Sequence, residues 1–597
     1  MKKNASGKHV QFSSSPVLSV HLPMWRSKLV VFLVFVAFLA LAVRAFWIQG
    51  PGNSFYQKQG ENRYQRTIEL PATRGKILDR NGVVLATSLP VRAIWAIPED
   101  VPDDIDAGKL KQLSQLLSMN PKDLHTKLGE EKGFVYIKRQ VPNDVADKVA
   151  ALGIPGIYQR TEYERFYPEG EITAHMVGFT NIEDEGQEGV ELAEQKTLVG
   201  VPGSRRVIKD RLGRAIEDVD ELAIPRNGQD LSLSLDSKIQ YITYTELKNA
   251  VESHHAAAGA AIVIDARTGE VLALANYPTY NPNDRTHLTG EQLRNRVLTD
   301  SFEPGSIMKP MSISLALDLH RITPDTLVNT NGRFTLDGAT ITDDSNFGTL
   351  TVGGVIQKSS NIGTTKIAMQ LRPEEMWNMF TSVGFGQAPK IGFPGAVAGR
   401  LRPWKDWRRI EQATMAYGYG IAVSLFQLAH AYTIFAHDGQ LIPVSIFKTN
   451  GQTVSGPQII SPATAAEMRK MLQAVVSGNG TAHDDVEVAG YSVGGKTGTA
   501  YKHTASGYDK SKYRASFVGI APMSNPRIIV AVSIDNPTTG SHFGGQVAGP
   551  AFSAIAGDTL RTLNVAPDIP VKAMVVTANS PDPAQHPATS QAPGATR

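Results

Sequence analysis

The chain has 597 residues, of which 42% are hydrophobic and 20% charged. This length predicts roughly three or four domains, and the ordinary composition excludes a wholly disordered, collagen-like or coiled-coil protein. The net charge of +3 is too small to indicate an extended nucleic-acid-binding surface. The absence of cysteine excludes disulfides, thiolate metal sites and cysteine nucleophiles. No His-Glu-x-x-His motif indicates zinc, and we expect neither a metal nor a cofactor.

An apolar segment near the N-terminus predicts a membrane anchor. Residues 29–48, interrupted only by Arg44, form about 30 Å of helix, enough to cross a bilayer. Residues 1–28 carry five lysines and arginines and no acid, which predicts a cytoplasmic N-terminus and export of everything after the helix. A cleaved signal peptide is the alternative, because residues 40–42 (Ala-Leu-Ala) resemble a cleavage site. The apolar residues that resume after Arg44 favour the uncleaved anchor.

The next segment, residues 49–228, is polar and mixed, with many Gly and Pro breaks. The dipeptide Asn81-Gly82 stands between two short apolar pieces, Ile77-Leu78 and residues 83–85. An Asn-Gly pair in that setting predicts a β-hairpin. No pairing of acids or histidines in this segment indicates an active site.

From residue 229 to 563 the pattern indicates an α+β domain. Consecutive strands with short connections predict an antiparallel sheet with helices packed on it. After residue 564 the chain has six prolines among Ala, Ser and Thr, which predicts a disordered tail. The predicted elements are a buried hairpin at 260–265 and 270–275, a buried helix at 306–319 behind Pro304-Gly305, and strands at 515–520 and 528–534.

Three short patterns in this domain carry chemistry: S-x-x-K at residues 306–309, S-x-N at 359–361 and K-T-G-T at 496–499. A serine at a helix start and a lysine three residues later share one face, so the amine lies near the hydroxyl. Burial near a second cation favours a neutral amine, which can accept the serine proton. The helix N-terminus also offers backbone donors to developing negative charge.

Similar patterns occur elsewhere in the chain, but the residues around them do not suit a catalytic site. A second S-x-x-K begins at Ser445 in a strand-like stretch, and a second S-x-N begins at Ser477 in a Gly-rich turn. Residues 490–497 match the phosphate-binding loop G-x-x-x-x-G-K-[ST]. That loop requires a helix directly after its Lys-Thr, whereas residues 498–507 are poor helix formers, so we exclude an NTPase.

The three patterns together resemble those of penicillin-binding proteins. The resemblance is to class B of that family, covers nearly the whole chain from the anchor to about residue 562, and extends to the division-specific, septal member through residues 501–522. The supporting motifs are RGKILDRNGVVLA at 74–86, GQEGVE at 186–191, RNRVLTDSFEPGSIMK at 294–309, YGYGIAVSLFQL at 417–428 and KTGTA at 496–500.

This resemblance implies a serine acyl-enzyme mechanism. Ser306 would attack the penultimate D-alanine carbonyl of a peptidoglycan stem peptide, and Lys309 would act as the general base. Ser359 would relay the proton to the leaving amine, and Asn361 would hold the substrate amide. The implied substrate-binding residues are Lys496, Thr497, Gly498 and Thr499, and the implied oxyanion hole consists of the backbone N–H groups of Ser306 and Thr499.

The resemblance also implies the architecture and the partners. Stem peptides and β-lactams would bind to the transpeptidase domain in the periplasm, on the outer face of the inner membrane. Residues 50–227 contain no recognisable glycosyltransferase, so a membrane glycosyltransferase of the division machinery would polymerise the glycan. The implied divisions are a cytoplasmic segment at 1–28, the anchor at 29–48, a non-catalytic pedestal of dimerisation type at 49–228, the transpeptidase domain at 229–563 and the tail at 564–597.

The sequence differs from β-lactamases at two points, and two alternative functions remain open. Position 360 is serine where β-lactamases carry aspartate, and no candidate deacylating glutamate stands near the motifs, which favours transfer to an amine over hydrolysis. An elongation-specific class B transpeptidase would have the same chemistry in a different complex. A penicillin-binding sensor or scaffold would acylate without turnover.

Overall fold

The structure, a computed structural model, describes residues 23–50, 65–102, 104–129, 133–209, 215–449, 451–504 and 507–570. Most of the predicted cytoplasmic segment and most of the predicted tail lie outside the described residues. The described residues divide into two compact units: residues 23–72 with 201–226, and residues 73–200 with 227–570.

Strands are numbered in chain order. They are β1 (Gln65–Leu70), β2 (Ile77–Leu78), β3 (Val84–Ala96), β4 (Val135–Val141), β5 (Ile157–Phe166), β6 (Gly203–Lys209), β7 (Ala215–Ala223), β8 (Leu231–Ser232), β9 (Ala258–Asp265), β10 (Val271–Tyr277), β11 (Leu327–Asn329), β12 (Arg333–Leu336), β13 (Ala339–Thr342), β14 (Thr349–Thr351), β15 (Gly494–Thr504), β16 (Gly507–Ala521) and β17 (Ile528–Asp535).

The α-helices are numbered in the same way. They are α1 (Met24–Gln49), α2 (Ala107–Leu116), α3 (Pro121–Gly129), α4 (Asn143–Ala151), α5 (Ala174–Val177), α6 (Gly189–Ala193), α7 (Gln195–Leu198), α8 (Ser237–Ser253), α9 (Gly290–Leu293), α10 (Arg296–Thr299), α11 (Lys309–Asp318), α12 (Val352–Gln357), α13 (Asn361–Ala368), α14 (Pro373–Ser382), α15 (Arg409–Ala416), α16 (Leu425–Ala431), α17 (Thr433–Ala436), α18 (Pro462–Val475) and α19 (Gly544–Thr562).

The first unit contains α1 and the antiparallel sheet β1-β6-β7. Helix α1 has 26 residues and buries none of them. Within the described ranges it is the one helix that is long and apolar enough to cross a membrane. The predicted apolar helix is therefore confirmed.

The second unit begins with the predicted hairpin. Strands β2 and β3 pair antiparallel, and the turn between them has Gly82 at φ +86°, a conformation that favours glycine. The Asp79 carboxylate accepts hydrogen bonds from the backbone N–H groups of Asn81 and Val83, at 2.7 and 2.8 Å. The β-hairpin predicted from Asn81-Gly82 is therefore confirmed.

Residues 73–200 contribute to two hydrophobic cores. A small core lies where β3 and β4 meet α2 and α4, with Leu113, Ile137 and Val149 at its centre. Ile77 and Leu198 belong instead to the large core that continues through the strands and helices after residue 231. The large core therefore crosses the predicted boundary at residues 228 and 229.

The predicted antiparallel sheet is confirmed, with strand order β10-β9-β17-β16-β15. Strand β9 is buried at every position and β17 at all but its last, so both faces of the central strands are covered. Helices α8, α16 and α19 pack on the sheet. Among the described strands, β15 is the last of this sheet, so one of its backbone edges has no neighbouring strand there.

The first residues of the predicted disordered tail are ordered, which corrects the prediction for residues 564–570. The Asp568 carboxylate accepts hydrogen bonds from the backbone N–H of Ser492, at 2.7 Å, and from the Ser524 hydroxyl, at 2.5 Å. The Tyr491 hydroxyl donates to the carbonyl of Val565 at 2.7 Å. These side-chain contacts with the domain outweigh the Pro-rich composition of the segment.

Candidate active site

The S-x-x-K pattern lies at the start of a buried helix, as predicted. Gly305 has φ +55°, which turns the chain into a single 3₁₀ turn, Gly305–Met308, before α11 begins at Lys309. Pro310 lies in the first turn of α11, where its missing N–H leaves no hydrogen bond unmade. Ser306 is half-buried and Lys309 is completely buried.

Lys309 contacts the S-x-N pattern directly. Its Nζ donates a hydrogen bond to the Ser359 hydroxyl at 3.1 Å and another to the Ser359 carbonyl oxygen. Ser359 has φ +58°, a left-handed conformation that serine rarely adopts. The contact with Lys309 therefore fixes both the backbone and the hydroxyl of Ser359.

Burial acts on the two motif lysines in the same direction. It lowers the pKa of Lys309 to about 7, although the carboxylates of Asp343 and Asp344 oppose the shift. Burial also lowers the pKa of Lys496 well below its ordinary value, and the positive charge of Lys309 lowers it further. Burial therefore lowers the pKa of Lys309, as predicted, whereas the effect of a second cation falls on Lys496 and not on Lys309.

The K-T-G-T pattern runs along the edge strand β15 and meets the nucleophile turn there. A Cβ at Gly498 would lie 2.8 Å from Ile307 Cδ1, and a Cβ at Gly305 would lie 3.5 Å from the Thr499 carbonyl oxygen. Glycine at position 498 therefore lets the turn and the strand approach each other closely. The segments around Ser306 and Thr499, 193 residues apart in sequence, come together in this way.

The side chains of the K-T-G-T pattern form hydrogen bonds with one another and with neighbouring segments of the chain. Lys496 Nζ donates to the Thr497 hydroxyl at 3.2 Å, and that hydroxyl lies 3.2 Å from the Thr481 hydroxyl. The Thr499 hydroxyl accepts a hydrogen bond from the Gly544 N–H at 3.0 Å. Two threonine hydroxyls and an amine thus line one stretch of β15.

Asn361 is placed differently from the other motif residues. Its side-chain N–H donates to the Thr342 carbonyl oxygen at 3.1 Å, so its amide is anchored to the end of β13. The described contacts join it to neither Ser306 nor Lys309. Its predicted role toward a substrate amide stays a prediction.

Two residues at the site were missed by the sequence reasoning. Asp343 accepts hydrogen bonds from the backbone N–H groups of Asn361 and Ile362 and from the Ser360 hydroxyl. Glu303 accepts hydrogen bonds from the Gly420 N–H and the Tyr508 hydroxyl. Asp343 belongs to an Asp-Asp pair after β13 that matches none of the motifs. Glu303 lies three residues before Ser306, inside the motif at residues 294–309.

The competing patterns lie in structural settings. The Ser445 hydroxyl bonds to the backbone N–H and carbonyl of Phe447, and the Ser477 hydroxyl donates to the Gln473 carbonyl. Lys496 and Thr497 lie inside β15, so the match to a phosphate-binding loop lacks the helix that the loop requires.

Family models match two parts of the chain. Residues 69–233 match the penicillin-binding protein dimerisation domain, and residues 259–557 match the penicillin-binding protein transpeptidase domain. The second match contains all three motifs of the candidate site.

Relatives match over most of the chain. It is 43% identical to the probable peptidoglycan D,D-transpeptidase PenA of Neisseria gonorrhoeae, over 92% of this chain and 95% of that protein. It is 38% identical to the peptidoglycan D,D-transpeptidase FtsI of Escherichia coli strain K12, over 91% and 93%. The solved TP domain of Burkholderia pseudomallei penicillin-binding protein 3 is 70% identical, with a TM-score of 0.53, and covers 57% of this chain and 98% of that one. The chain therefore belongs to the class B penicillin-binding proteins, which join a dimerisation domain to a transpeptidase domain.

Proposed function

We propose that the protein is a peptidoglycan D,D-transpeptidase that cross-links stem peptides at the division septum through an acyl-enzyme on Ser306. The observation that carries the proposal is the completely buried Lys309 amine, which is bonded to Ser359 and lies one turn after Ser306. A pKa of about 7 leaves a large neutral fraction of this amine near neutral pH, as a general base requires.

In the acylation step, the Ser306 oxygen bonds to the penultimate D-alanine carbonyl carbon, and the serine proton passes to the neutral Lys309 amine. The proton then passes through the Ser359 hydroxyl to the leaving nitrogen as the carbon–nitrogen bond breaks. Terminal D-alanine leaves as a free amine. The backbone N–H groups of Ser306 and Thr499 are assigned to the developing oxyanion, where each donor contributes about 3 kcal/mol in comparable enzymes.

The K-T-G-T segment is assigned to the substrate's terminal carboxylate. Lys496, Thr497 and Thr499 offer an amine and two hydroxyls along β15, and Gly498 keeps the strand close to the nucleophile. An arriving carboxylate raises the pKa of Lys496 and favours its charged form. Asn361 is assigned to the amide on the acyl side of the substrate.

Transfer completes the cycle. An amine on a neighbouring stem attacks the ester carbon, its nitrogen–carbon bond forms, and the bond to Ser306 breaks. The attacking nitrogen loses a proton, which passes through Lys309 to the Ser306 oxygen, and the product is the cross-link. A β-lactam enters the first half of this cycle and acylates Ser306 without readily leaving.

The remaining assignments concern location and partners. We assign residues 1–28 to the cytoplasm, because they are basic, residues 29–48 to the inner membrane and the later residues to the periplasm. The pedestal is assigned to residues 49–228 and the transpeptidase domain to 229–563. A membrane glycosyltransferase of the division machinery is the proposed partner that supplies glycan strands.

Mass spectrometry of the intact protein after exposure to a β-lactam tests the nucleophile. We expect one adduct, mapped to Ser306, and no adduct in Ser306→Ala. Ser445→Ala and Ser477→Ala are matched controls that keep the adduct, because their hydroxyls bond to nearby backbone. An adduct retained in Ser306→Ala would reject the assignment.

Two further experiments separate this function from its alternatives. Cross-link formation from a stem-peptide donor and an amine acceptor distinguishes an enzyme from a sensor, which stops at the acyl-enzyme. Depletion in cells distinguishes septal from elongation function: we expect filaments, whereas rounded cells would indicate elongation.

A further inference from the structure

A completely buried tyrosine hydroxyl bonds to the turn that carries the proposed nucleophile. Tyr432 lies between α16 and α17 and has no exposed surface. Its hydroxyl donates a hydrogen bond to the carbonyl oxygen of Ile307 at 2.9 Å, across 125 residues of sequence. Ile307 directly follows Ser306. None of the steps proposed above uses this contact.

The contact lies where the 3₁₀ turn passes into α11. Within the turn, the Ser306 carbonyl accepts a hydrogen bond from the N–H of Lys309, three residues later. The residue three positions after Ile307 is Pro310, which has no N–H to donate. The 3₁₀ pattern therefore cannot continue at the Ile307 carbonyl, and the Tyr432 hydroxyl donates to the chain at this point.

The side chain of Ile307 packs on the edge strand. A Cβ at Gly498 would lie 2.8 Å from Ile307 Cδ1, so Ile307 and β15 are in close contact, and Ile307 is completely buried. Its side chain thus meets the strand that carries Thr499, while its carbonyl is bonded to Tyr432. A shift of Ile307 would therefore change the separation between the N–H groups of Ser306 and Thr499.

Backbone hydrogen bonds hold the residues before Ser306. Phe302 and Val423 exchange two of them, at 2.9 and 3.0 Å, and the Gly305 N–H donates to the Gly418 carbonyl at 3.2 Å. The tyrosine hydroxyl holds the residue after the serine. Among the described residues, it is the one side-chain group that forms a hydrogen bond with the backbone of the turn Gly305–Met308.

Tyr432 is itself fixed in the core. Helix α16, which ends just before it, packs on the central sheet. The Tyr432 ring meets the Phe435 ring edge to face, with the ring centroids 5.4 Å apart, an arrangement that aromatic pairs favour. Burial raises the pKa of Tyr432 well above its ordinary value. The hydroxyl therefore remains a donor over the pH range in which Lys309 titrates.

We propose that Tyr432 is a positioning residue for acylation, and that its hydroxyl fixes the peptide unit after Ser306 so that the serine oxygen and the two oxyanion donors keep their relative positions. Stabilisation of developing charge depends on donors that are already in place, and a small displacement of a reacting group lowers the rate strongly. The described contacts do not join Tyr432 to the K-T-G-T pattern, so substrate binding should not depend on it. The proposal rests on the proposed transpeptidase function and adds a residue to its acylation step.

Tyr432→Phe removes the hydroxyl and keeps the ring that fills the core. Stopped-flow acylation of the full-length protein in detergent, over a range of concentrations of a chromogenic β-lactam, separates the acylation rate constant from the dissociation constant of the non-covalent complex. We expect the rate constant to fall roughly threefold to tenfold, the range for one neutral hydrogen bond, and the dissociation constant to stay unchanged. An unchanged rate constant, or a loss confined to binding, would overturn the proposal.

The pH profile of the same variant is a second measurement. Burial and the carboxylates of Asp343 and Asp344 shift the pKa of Lys309, and the neutral Tyr432 hydroxyl does not contribute to this shift. We therefore expect Tyr432→Phe to lower the plateau of the acylation rate and to keep its midpoint. A moved midpoint would show that the hydroxyl acts through the base instead and would overturn the proposal.

Tyr280→Phe is the matched control. Tyr280 is 4% exposed, and its hydroxyl donates to the Ala174 carbonyl at 3.0 Å. The loss of this bond should lower the free energy of unfolding about as much as Tyr432→Phe does, and leave the acylation rate constant as in the wild type. Equal losses of rate in the two variants would show an effect of stability alone and would overturn the proposal.

Tyr432→4-aminophenylalanine restores a hydrogen-bond donor on the same ring. We expect it to recover most of the acylation rate constant, and a rate no higher than that of Tyr432→Phe would overturn the assignment to the hydrogen bond. Failure of the proposed function is distinguishable, because the wild-type protein would then form no adduct at Ser306. Failure of this proposal alone leaves that adduct in place, formed at the same rate in the wild type and in Tyr432→Phe.

Discussion

The Asp343 carboxylate accepts a hydrogen bond from the backbone N–H of Asn361 at 2.5 Å. The same oxygen accepts the Ile362 N–H at 2.9 Å, and the other oxygen accepts the Ser360 hydroxyl at 2.5 Å. One carboxylate from the end of β13 therefore holds the first turn of α13. Because Ser359 immediately precedes that turn and accepts a hydrogen bond from Lys309, Asp343 positions the partner of the proposed general base.

Asp343→Asn should slow acylation by a β-lactam. Hydrogen bonds to a charged group contribute about 1.5–3 kcal/mol, which corresponds to roughly a tenfold to hundredfold loss of the acylation rate constant. Removing the negative charge also lowers the pKa of Lys309, because that carboxylate raises it. The rise of the rate with pH should therefore move to lower pH. Stopped-flow measurement of acylation across pH checks both effects.

Asp337→Asn is the control for this prediction. Asp337 lies in the turn between β12 and β13, and its carboxylate pairs with Arg409 at 3.4 Å. Its φ of +49° suits asparagine, so the rate and its pH profile should stay as in the wild type. A rate unchanged in Asp343→Asn as well would refute the positioning role.

The pH dependence of acylation should follow Lys309. With a pKa of about 7, the amine becomes neutral as pH rises, so the acylation rate constant should increase with a midpoint near pH 7. Lys309→Met should reduce the rate by several orders of magnitude at every pH. A rate in the wild type that is flat between pH 5.5 and about 8.5 would contradict the assignment of the base.

Stability should also depend on pH, and with a defined sign. The pKa of Lys309 falls from 10.5 to about 7 on folding, so the unfolded chain binds more protons between these values and the free energy of unfolding rises with pH across this window. Lys496 contributes in the same direction. Lys309→Met should make the rise shallower, which denaturant unfolding at pH 7 and pH 9.5 measures.

Ser360→Ala should combine a loss of stability with a loss of rate. The Ser360 hydroxyl accepts the Gly363 N–H at 2.8 Å as the N-cap of α13 and donates to Asp343. Loss of an N-cap costs about 1 kcal/mol. Ser461→Ala removes the N-cap of α18, where the hydroxyl accepts the Thr464 N–H. It should cost a similar free energy of unfolding without slowing acylation; equal rates in both variants would contradict the coupling.

Glu191→Gln should be strongly destabilising. The carboxylate accepts one hydrogen bond from Arg74 Nε at 2.6 Å and one from Arg165 Nε at 2.7 Å, and all three side chains are at most 2% exposed. Removing the negative charge leaves two buried guanidinium groups without their ion-pair partner, at a cost of about 3–5 kcal/mol. Denaturant unfolding measures the loss.

Glu183→Gln is its control. Glu183 pairs with Arg139, but its side chain is 60% exposed, and exposed pairs contribute at most about 1 kcal/mol. Losses of equal size in the two variants would show that burial does not decide the effect.

The elements that the sequence predicts well are those set by neighbours along the chain. The Asn81-Gly82 turn and the helix after Pro304-Gly305 each depend on residues a few positions apart, and both were predicted within a few residues of their bounds. The sheet followed from apolar strands with short connections. The ordered structure of residues 564–570 was not predicted, because it depends on hydrogen bonds between Asp568 and two distant serines.

In the candidate site, too, contacts between residues that are close in sequence were predictable and contacts between distant residues were not. Ser306 and Lys309 share a helix face because of their spacing, whereas the contact of Lys309 with Ser359 spans 50 residues and was expected only from the set of motifs. Asp343 joins the site through backbone N–H groups 18 and 19 residues away, and a carboxylate that bonds to backbone leaves no pattern in a single sequence. The Glu303 carboxylate is placed at the site by hydrogen bonds from Gly420 and Tyr508. These two residues are distant from it in sequence, so no local pattern indicates the contacts.

The unpaired backbone of β15 has a cost as well as a use. An open edge pairs with any extended chain, so the strand β15 that we propose to bind the substrate is also a template for association between two copies of the protein. Solubility therefore favours closing this edge, and turnover favours leaving it open. Substitutions that improve one property in this segment should worsen the other.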